Sequence, residues 1–152
     1  MVTVRPLRGE DAPSCDTILQ TLPDFFSYEP GLEDCAKAVR SQRGFVAEVS
    51  GAVVGFATWE QRTEETAEIT WAAVRADHRH SGVGTGIIEA VCSDLRRCGY
   101  RLALVMTSAA NKDGSEDTYV ATRAFWNRRG FHPLIELDIW ETNYALLMVR
   151  PL

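Results

Sequence analysis

The chain has 152 residues and is 45% apolar, which allows one domain with its own core and is ordinary for a soluble globular protein. Its formal net charge of -5 argues against general nucleic-acid binding, and no apolar run is long enough to span a membrane. The start, Met1 to Pro6, lacks the apolar stretch of a signal peptide, and Cys15, Cys35, Cys92 and Cys98 show no metal spacing, so the expectation is a cytoplasmic protein with reduced thiols.

Val2 to Arg5 alternates and predicts a short first strand. Asp11 stands where it can cap a helix with Pro13 in its first turn, and that helix carries Cys15, Ile18, Leu19 and Leu22 on one face before stopping at Pro23. Asp24 to Pro30 predicts a loop holding Phe25, Phe26 and Tyr28, either as core plugs or as the wall of a pocket. Glu33 to Gln42 predicts a second helix. Gly44 to Ser50 and Ala52 to Glu60 predict a hairpin turning at Ser50-Gly51. After a polar turn, Gln61 to Thr66, the strand Ala67 to Val74 places Ile69 and Trp71 on one face and Glu68 and Thr70 on the other.

Ile87, Ile88, Val91, Leu95 and Cys98 make a helical stripe, with Gly99 as the residue that ends it. Arg101 to Thr107 predicts an apolar strand, and Ser108 to Thr118 a polar loop. Tyr119 to Arg129 predicts a helix closed by Gly130 and the apolar Phe131. Leu134 to Ile139 and Tyr144 to Val149 predict the last two strands, a surface that could support a homodimer. The order gives an α/β mix around a largely antiparallel sheet, with one parallel crossover, in a single domain over residues 1–152.

The crossover carries the stretch Arg79-His80-Ser81-Gly82-Val83-Gly84-Thr85-Gly86, between the strand ending at Val74 and the helix. Glycines there allow positive φ and close approach of the backbone, and the free amides of a helix N-terminus favour an anion. The spacing fits neither a Walker loop nor a dinucleotide fingerprint. Arg79-x-x-Gly82-x-Gly84 after Val74 instead resembles motif A of the GNAT superfamily of N-acetyltransferases. Phe125-Trp126-Asn127-Arg128-Arg129-Gly130-Phe131 is similar to that family's motif B, and the element order agrees along the whole chain.

The resemblance implies a fold with splayed central strands and acetyl-CoA as cosubstrate. The amides and side chains of Arg79, His80, Ser81, Gly82, Val83, Gly84 and Thr85 would hold its pyrophosphate. Ala72, Ala73 and Val74, at a bulge in the strand, would meet its pantetheine arm, and Trp126 would pack against it. Thr107, Ser108 and Asn111 are weaker candidates for contacts to the pantetheine amides. Glu68 is the candidate base, directly or through water, with Glu60 as the alternative.

The family's motif B has a tyrosine, its general acid, where this chain has Trp126. Indole cannot deliver a proton at neutral pH. Tyr119 is therefore the candidate acid, on one helix face with Thr122 and Trp126. The implied activity is acetyl transfer to a primary amine in a ternary complex. The alternative is a non-catalytic acyl-CoA-binding sensor or interaction module of the same fold. Acidic residues at Asp24, Glu29, Glu33, Asp34, Glu60, Glu64, Glu65 and Glu68 point to a cationic acceptor, in a pocket between the loop Asp24 to Asp34 and the hairpin Glu60 to Glu65.

Overall fold

Ser50 and Gly51 take φ of 51° and 81°. Two successive left-handed residues make the tight turn that suits a hairpin, and they join β2 (Arg43–Val49) to β3 (Ala52–Gln61). The computed structural model, which describes residues 1–26 and 29–152, adds β1 (Val2–Pro6), β4 (Thr66–Val74), β5 (Leu102–Asn111), β6 (His132–Leu137) and β7 (Asn143–Pro151). These seven strands lie in the order β1-β2-β3-β4-β5-β7-β6, a mixed sheet with one parallel pair. Its helices are α1 (Ala12–Gln20), α2 (Glu29–Ser41), α3 (Val83–Arg97) and α4 (Val120–Arg128). No helix among the described residues is long and apolar enough to cross a membrane.

The chain packs as two compact units, Met1–Glu60 with Ile69–Asp94, and Gln61–Glu68 with Leu95–Leu152. In the first, Cys15, Ile18, Leu19 and Leu22, the expected α1 stripe, are buried with Cys35 and Val39 of α2 against Val46, Phe56 and Ala73 of the strands. Each fully buried aliphatic side chain of this kind stabilises by about 1.5–3 kcal/mol. Val83, Ile87, Ile88 and Val91 of α3 are no more than 1% exposed. In the second unit, β7 pairs antiparallel with both β5 and β6. Ala67, Leu95, Ala103, Phe131, Ala145 and Met148 are fully buried in it.

Several expected boundaries shift, each for a local reason. Helix α2 begins at Glu29 rather than Glu33, because Pro30 sits in the first turn, where its missing N–H is harmless. Asp11 precedes α1 as expected but makes no side-chain cap. Its carboxylate is bound by the Arg5 guanidinium at 2.7 and 2.8 Å and by the Arg8 amide at 2.8 Å. Strand β5 runs on to Asn111, where polar residues still pair with β7. Helix α4 ends as expected. Gly130 has φ of 85°. Phe131 N–H reaches the Trp126 carbonyl and Gly130 N–H the Asn127 carbonyl, both at 3.0 Å, the paired bonds of a Schellman stop.

Candidate active site

Strand β4 hands over to the glycine segment through a tied turn. Arg75 N–H donates to the Val54 carbonyl at 2.7 Å, and Ala76 N–H to Thr21 Oγ1 at 3.2 Å. The Arg75 guanidinium grips Asp77 at 2.7 and 3.2 Å, and His78 Nδ1 lies 2.9 Å from the same carboxylate. These partners, Arg75 first, hold the Asp77 carboxyl at about 2. Arg75 and His78 are therefore engaged in shaping the turn, although both belong to the basic cluster of the sequence.

Beyond the turn, His80 and Gly82 take φ of 62° and 83°. Ser81 lies between them, with its hydroxyl donating to the His78 carbonyl. A left-handed residue followed by a helical one turns successive amides toward the same point, a concavity suited to an anion. Helix α3 begins at Val83, and the bond from Gly86 N–H to the Gly82 carbonyl, at 3.0 Å, opens its ladder. The amides of Val83, Gly84 and Thr85 precede that ladder and have no intrahelical acceptor. Of the three glycines, Gly82 uses the left-handed region, whereas Gly84 and Gly86 lie inside the helix. His80 is the left-handed residue that its type does not announce, in a conformation that costs a non-glycine roughly 1–2 kcal/mol.

Gly55 of β3 seats this helix. A Cβ there would stand 2.9 Å from Ile87 Cδ1, 3.1 Å from Val83 Cγ1 and 3.3 Å from the Ala73 carbonyl. The helix N-terminus comes so close to the sheet because position 55 has no side chain. Nothing in the hairpin's alternation singles Gly55 out; a lone glycine in a strand is the signal for such an approach. Phe25 and Phe26 are half-buried against the α1–α2 core, Phe26 lies 6.3 Å from the Trp71 ring, and the Arg79 guanidinium sits 5.2 Å above Phe25. They are core plugs, and Phe25 also holds Arg79. Tyr28 lies outside the described residues.

Along β4, Ala73 is buried and Ala72 and Val74 are half-buried. Glu68 Oε1 accepts Arg62 Nε at 2.9 Å, with the Glu68 side chain 18% exposed. The alternative base, Glu60, accepts Gln42 Nε2 at 3.2 Å, and Gln42 Oε1 in turn accepts the Thr70 hydroxyl at 2.5 Å. Thr70 and Thr58 hydroxyls are 2.8 Å apart.

A family model for acetyltransferases of the GNAT family matches residues 14–131. The chain belongs to that family. No curated protein sequence matches the chain significantly. Among solved structures, it is similar to a protein assigned to the GNAT family from Desulfovibrio desulfuricans, at 21% identity and TM-score 0.86, covering 99% of both chains. The ribosomal-protein-S18-alanine N-acetyltransferase of Escherichia coli matches at 20% identity and TM-score 0.81, over 99% of this chain and 94% of that one. A GNAT acetyltransferase from Elizabethkingia anophelis, solved with acetyl-CoA bound, matches at 16% and 0.77, over 99% and 98%. These likenesses establish the shared fold.

In this GNAT chain the motif B region departs from the sequence expectation. Tyr119 is not on a helix face with Thr122 and Trp126. It is the N-cap of α4, with φ of -102° and ψ of 7°. Trp126 is 5% exposed, edge-on to Phe125 at 5.3 Å and to Phe131 at 5.2 Å, which is the setting of a core side chain. Tyr119 is half-buried, and its hydroxyl is hydrogen-bonded to the Ser108 side chain. Burial raises the phenol above its ordinary value, and the Ser108 bond opposes that rise. Thr107 is buried, and Asn111 Nδ2 donates to the Glu116 carbonyl at 2.9 Å. Glu68 is thus paired with Arg62, and Tyr119 with Ser108.

Proposed function

We propose that this protein moves the acetyl group of acetyl-CoA to a primary amine by direct transfer in a ternary complex, with residues 1–152 acting as one catalytic domain. The carrying observation is the left-handed Gly82 followed by three helix-opening amides, at Val83, Gly84 and Thr85. That arrangement supports pyrophosphate binding, with Arg79, His80 and Ser81 completing the loop and Ala72 to Val74 leading the backbone into it.

The reaction needs a neutral amine. A lysine-like ammonium has a pKa near 10.4, so deprotonation at pH 7 costs about 4.6 kcal/mol. Glu68, held by Arg62 as a carboxylate hydrogen-bond acceptor, takes that proton directly or through water. The amine nitrogen then attacks the thioester carbon. The C–N bond forms, the C–S bond breaks, the second N–H proton leaves to water, and Tyr119 protonates the departing sulfur. A positioned base or acid commonly contributes about 10²–10⁴-fold. A covalent route through cysteine is disfavoured, because none of the four cysteines lies in either motif, and burial raises the thiols of Cys15 and Cys35 to about 12.

The acceptor class follows from charge. Glu33, Asp34, Glu64 and Glu65 are exposed. They support an acceptor that arrives as a cation. Thiol release from acetyl-CoA across a panel of amines tests the whole reading. Release with at least one cationic amine is the expected result. Tight acetyl-CoA binding without release to any amine would favour the non-catalytic module, a reading that Trp126 at the family's tyrosine position favours.

A further inference from the structure

Two arginines around the glycine segment are held in opposite ways. The Arg75 guanidinium lies against the Asp77 carboxylate at 2.7 and 3.2 Å, so its charge is largely cancelled where it sits. The Arg79 guanidinium lies over the Phe25 ring, 5.2 Å from the ring centroid, within the roughly 6 Å over which a ring face attracts a cation. A ring carries no net charge. It fixes the guanidinium and leaves the positive charge whole. Among the described residues, no carboxylate forms an ion pair with Arg79.

The ring is itself anchored. Leu22 is buried, and its carbonyl accepts the N–H groups of Phe25 and Phe26 at 3.1 and 3.0 Å. Phe26 lies 6.3 Å from the Trp71 ring of β4. Just before Leu22, the Thr21 hydroxyl donates to the Ile18 carbonyl at 2.7 Å and accepts the Ala76 N–H at 3.2 Å. The residues that follow α1 therefore meet the chain after β4 twice, at Ala76 through Thr21 and at Arg79 through Phe25. All of these residues belong to the first compact unit. Phe25 lies outside both motifs, and Arg79 opens the glycine motif four residues before α3 begins at Val83.

We propose that Phe25 is a positioning residue for acetyl-CoA, whose ring holds the Arg79 guanidinium so that the pyrophosphate meets a cation that is already in place and not cancelled. This rests on the reading of the glycine segment as the pyrophosphate site. An exposed arginine with no anchor spreads its charge over many rotamers and loses that freedom when a ligand fixes it, which weakens binding. A guanidinium seated on a ring has given up that freedom before the ligand arrives. One seated on a carboxylate has given it up as well, but offers an anion little net charge.

The test replaces Phe25, in the full chain, by phenylalanines carrying progressively more ring fluorines. These nearly keep the ring's shape and weaken its attraction for a cation step by step. By calorimetry, the Kd for acetyl-CoA should rise at each step, reaching about twofold to fivefold over the series, the ordinary worth of an exposed contact of this kind. Phe25→Leu should cost a similar factor when Arg79 is present and nothing further when it is combined with Arg79→Met, because the ring acts through the guanidinium. A merely structural ring would give neither the graded series nor the dependence on Arg79. A Kd that stays flat or falls along the fluorinated series, or an equal loss from Phe25→Leu in the Arg79→Met background, would overturn the proposal. Unchanged affinity in folded Gly84→Asp would instead overturn the pyrophosphate reading beneath it, so the two failures are distinguishable.

Discussion

The glycine segment after β4 and the cluster around Tyr119 are built from different materials. The first offers backbone. In the proposed function its working groups are the amides at Val83, Gly84 and Thr85, which follow left-handed residues at 80 and 82 in a helix seated on Gly55. The second offers side chains, Asn143, Ser108, Tyr119, Asp117 and Arg123, each tied to another. A backbone site tolerates changes in many side chains and fails when the chain's path or local charge changes. A side-chain site fails at single atoms. The two should therefore respond differently to mutation, pH and salt.

The largest expected effect falls on the backbone site. Gly84→Asp adds a carboxylate beside amides that would hold the pyrophosphate. An acidic residue in the first turn of a helix is otherwise favourable by about 0.3–1 kcal/mol, so the variant should fold. Acetyl-CoA affinity should fall by at least about 100-fold, roughly 2.7 kcal/mol, by calorimetry. Unchanged affinity in a folded variant would remove the loop from the reading.

Tyr119→Phe tests the side-chain site with a smaller expected loss, about 10²-fold in kcat with KM for acetyl-CoA nearly unchanged. Trp126→Phe should do the reverse. It shrinks a core ring packed against Phe125 and Phe131, so it should cost about 1–2 kcal/mol of stability and little turnover. Equal kinetic effects from the two would remove the Tyr119 hydroxyl from the role of acid, since indole cannot deliver a proton.

The contrast also explains what could be read from the chain alone. Backbone recognition leaves a local trace, because glycines at a fixed spacing between a strand and a helix are visible in a few residues. The element order was legible for a similar reason: each amphipathic stripe, such as Cys15, Ile18, Leu19 and Leu22, is local. The Tyr119 cluster joins positions 108, 117, 119, 123 and 143, and no local pattern links a serine in β5 to an asparagine in β7. Reading Tyr119 into a helix also failed on a local detail, since Asp117 takes its N–H and makes it a cap. Pro30-Gly31 was misleading in the opposite sense. Two residues that usually break helices lie inside the start of α2. The partners of Glu68 and Asp11 were equally hidden, because an arginine's reach is three-dimensional.

Glu68→Gln separates the base from the acid. An amide cannot take the ammonium proton, so turnover at pH 7 should fall about tenfold or more. The deficit should shrink as pH rises toward the amine's own pKa, near 10.4. A pH-independent deficit would assign Glu68 to structure, through its pair with Arg62.

Asp11→Asn asks whether a side-chain network in the first unit can fail without touching the backbone site. Asp11 is 4% exposed and bound by Arg5, which also binds Glu48 at 2.7 Å. Losing this charge should cost about 2 kcal/mol at pH 7, below the range for fully buried pairs because Arg5 keeps some water. Arg5 holds the Asp11 carboxyl below its ordinary value. Its stabilisation is therefore complete above the unfolded value of about 3.9 and is lost as pH falls through the folded one. Denaturation midpoints of variant and wild type should converge as pH drops below about 4. Acetyl-CoA affinity should not change at pH 7.

The smallest expected effect is that of salt on the acceptor. Glu33, Asp34, Glu64 and Glu65 are exposed, and Glu65 also has Arg101 at 3.6 Å. Exposed charges of this kind act on a cation over distances that salt shortens, from roughly 10 Å at 0.1 M to about 3 Å at 1 M. They steer encounter more than they hold the bound amine. For a cationic amine, kcat/KM should fall a few-fold, on the order of threefold, between dilute buffer and about 0.3 M salt. The drop should sit in kcat/KM, with kcat nearly constant, because a saturated enzyme no longer depends on encounter. Acetyl-CoA should show its own salt dependence through the loop, so the measurement belongs at saturating acetyl-CoA. Charge reversal at one exposed acid, Glu64→Lys, should flatten the dependence further without altering kcat. A neutral amine that reacts fastest, or a kcat/KM indifferent to salt, would remove the cationic acceptor and leave the amine's shape as the basis of selection.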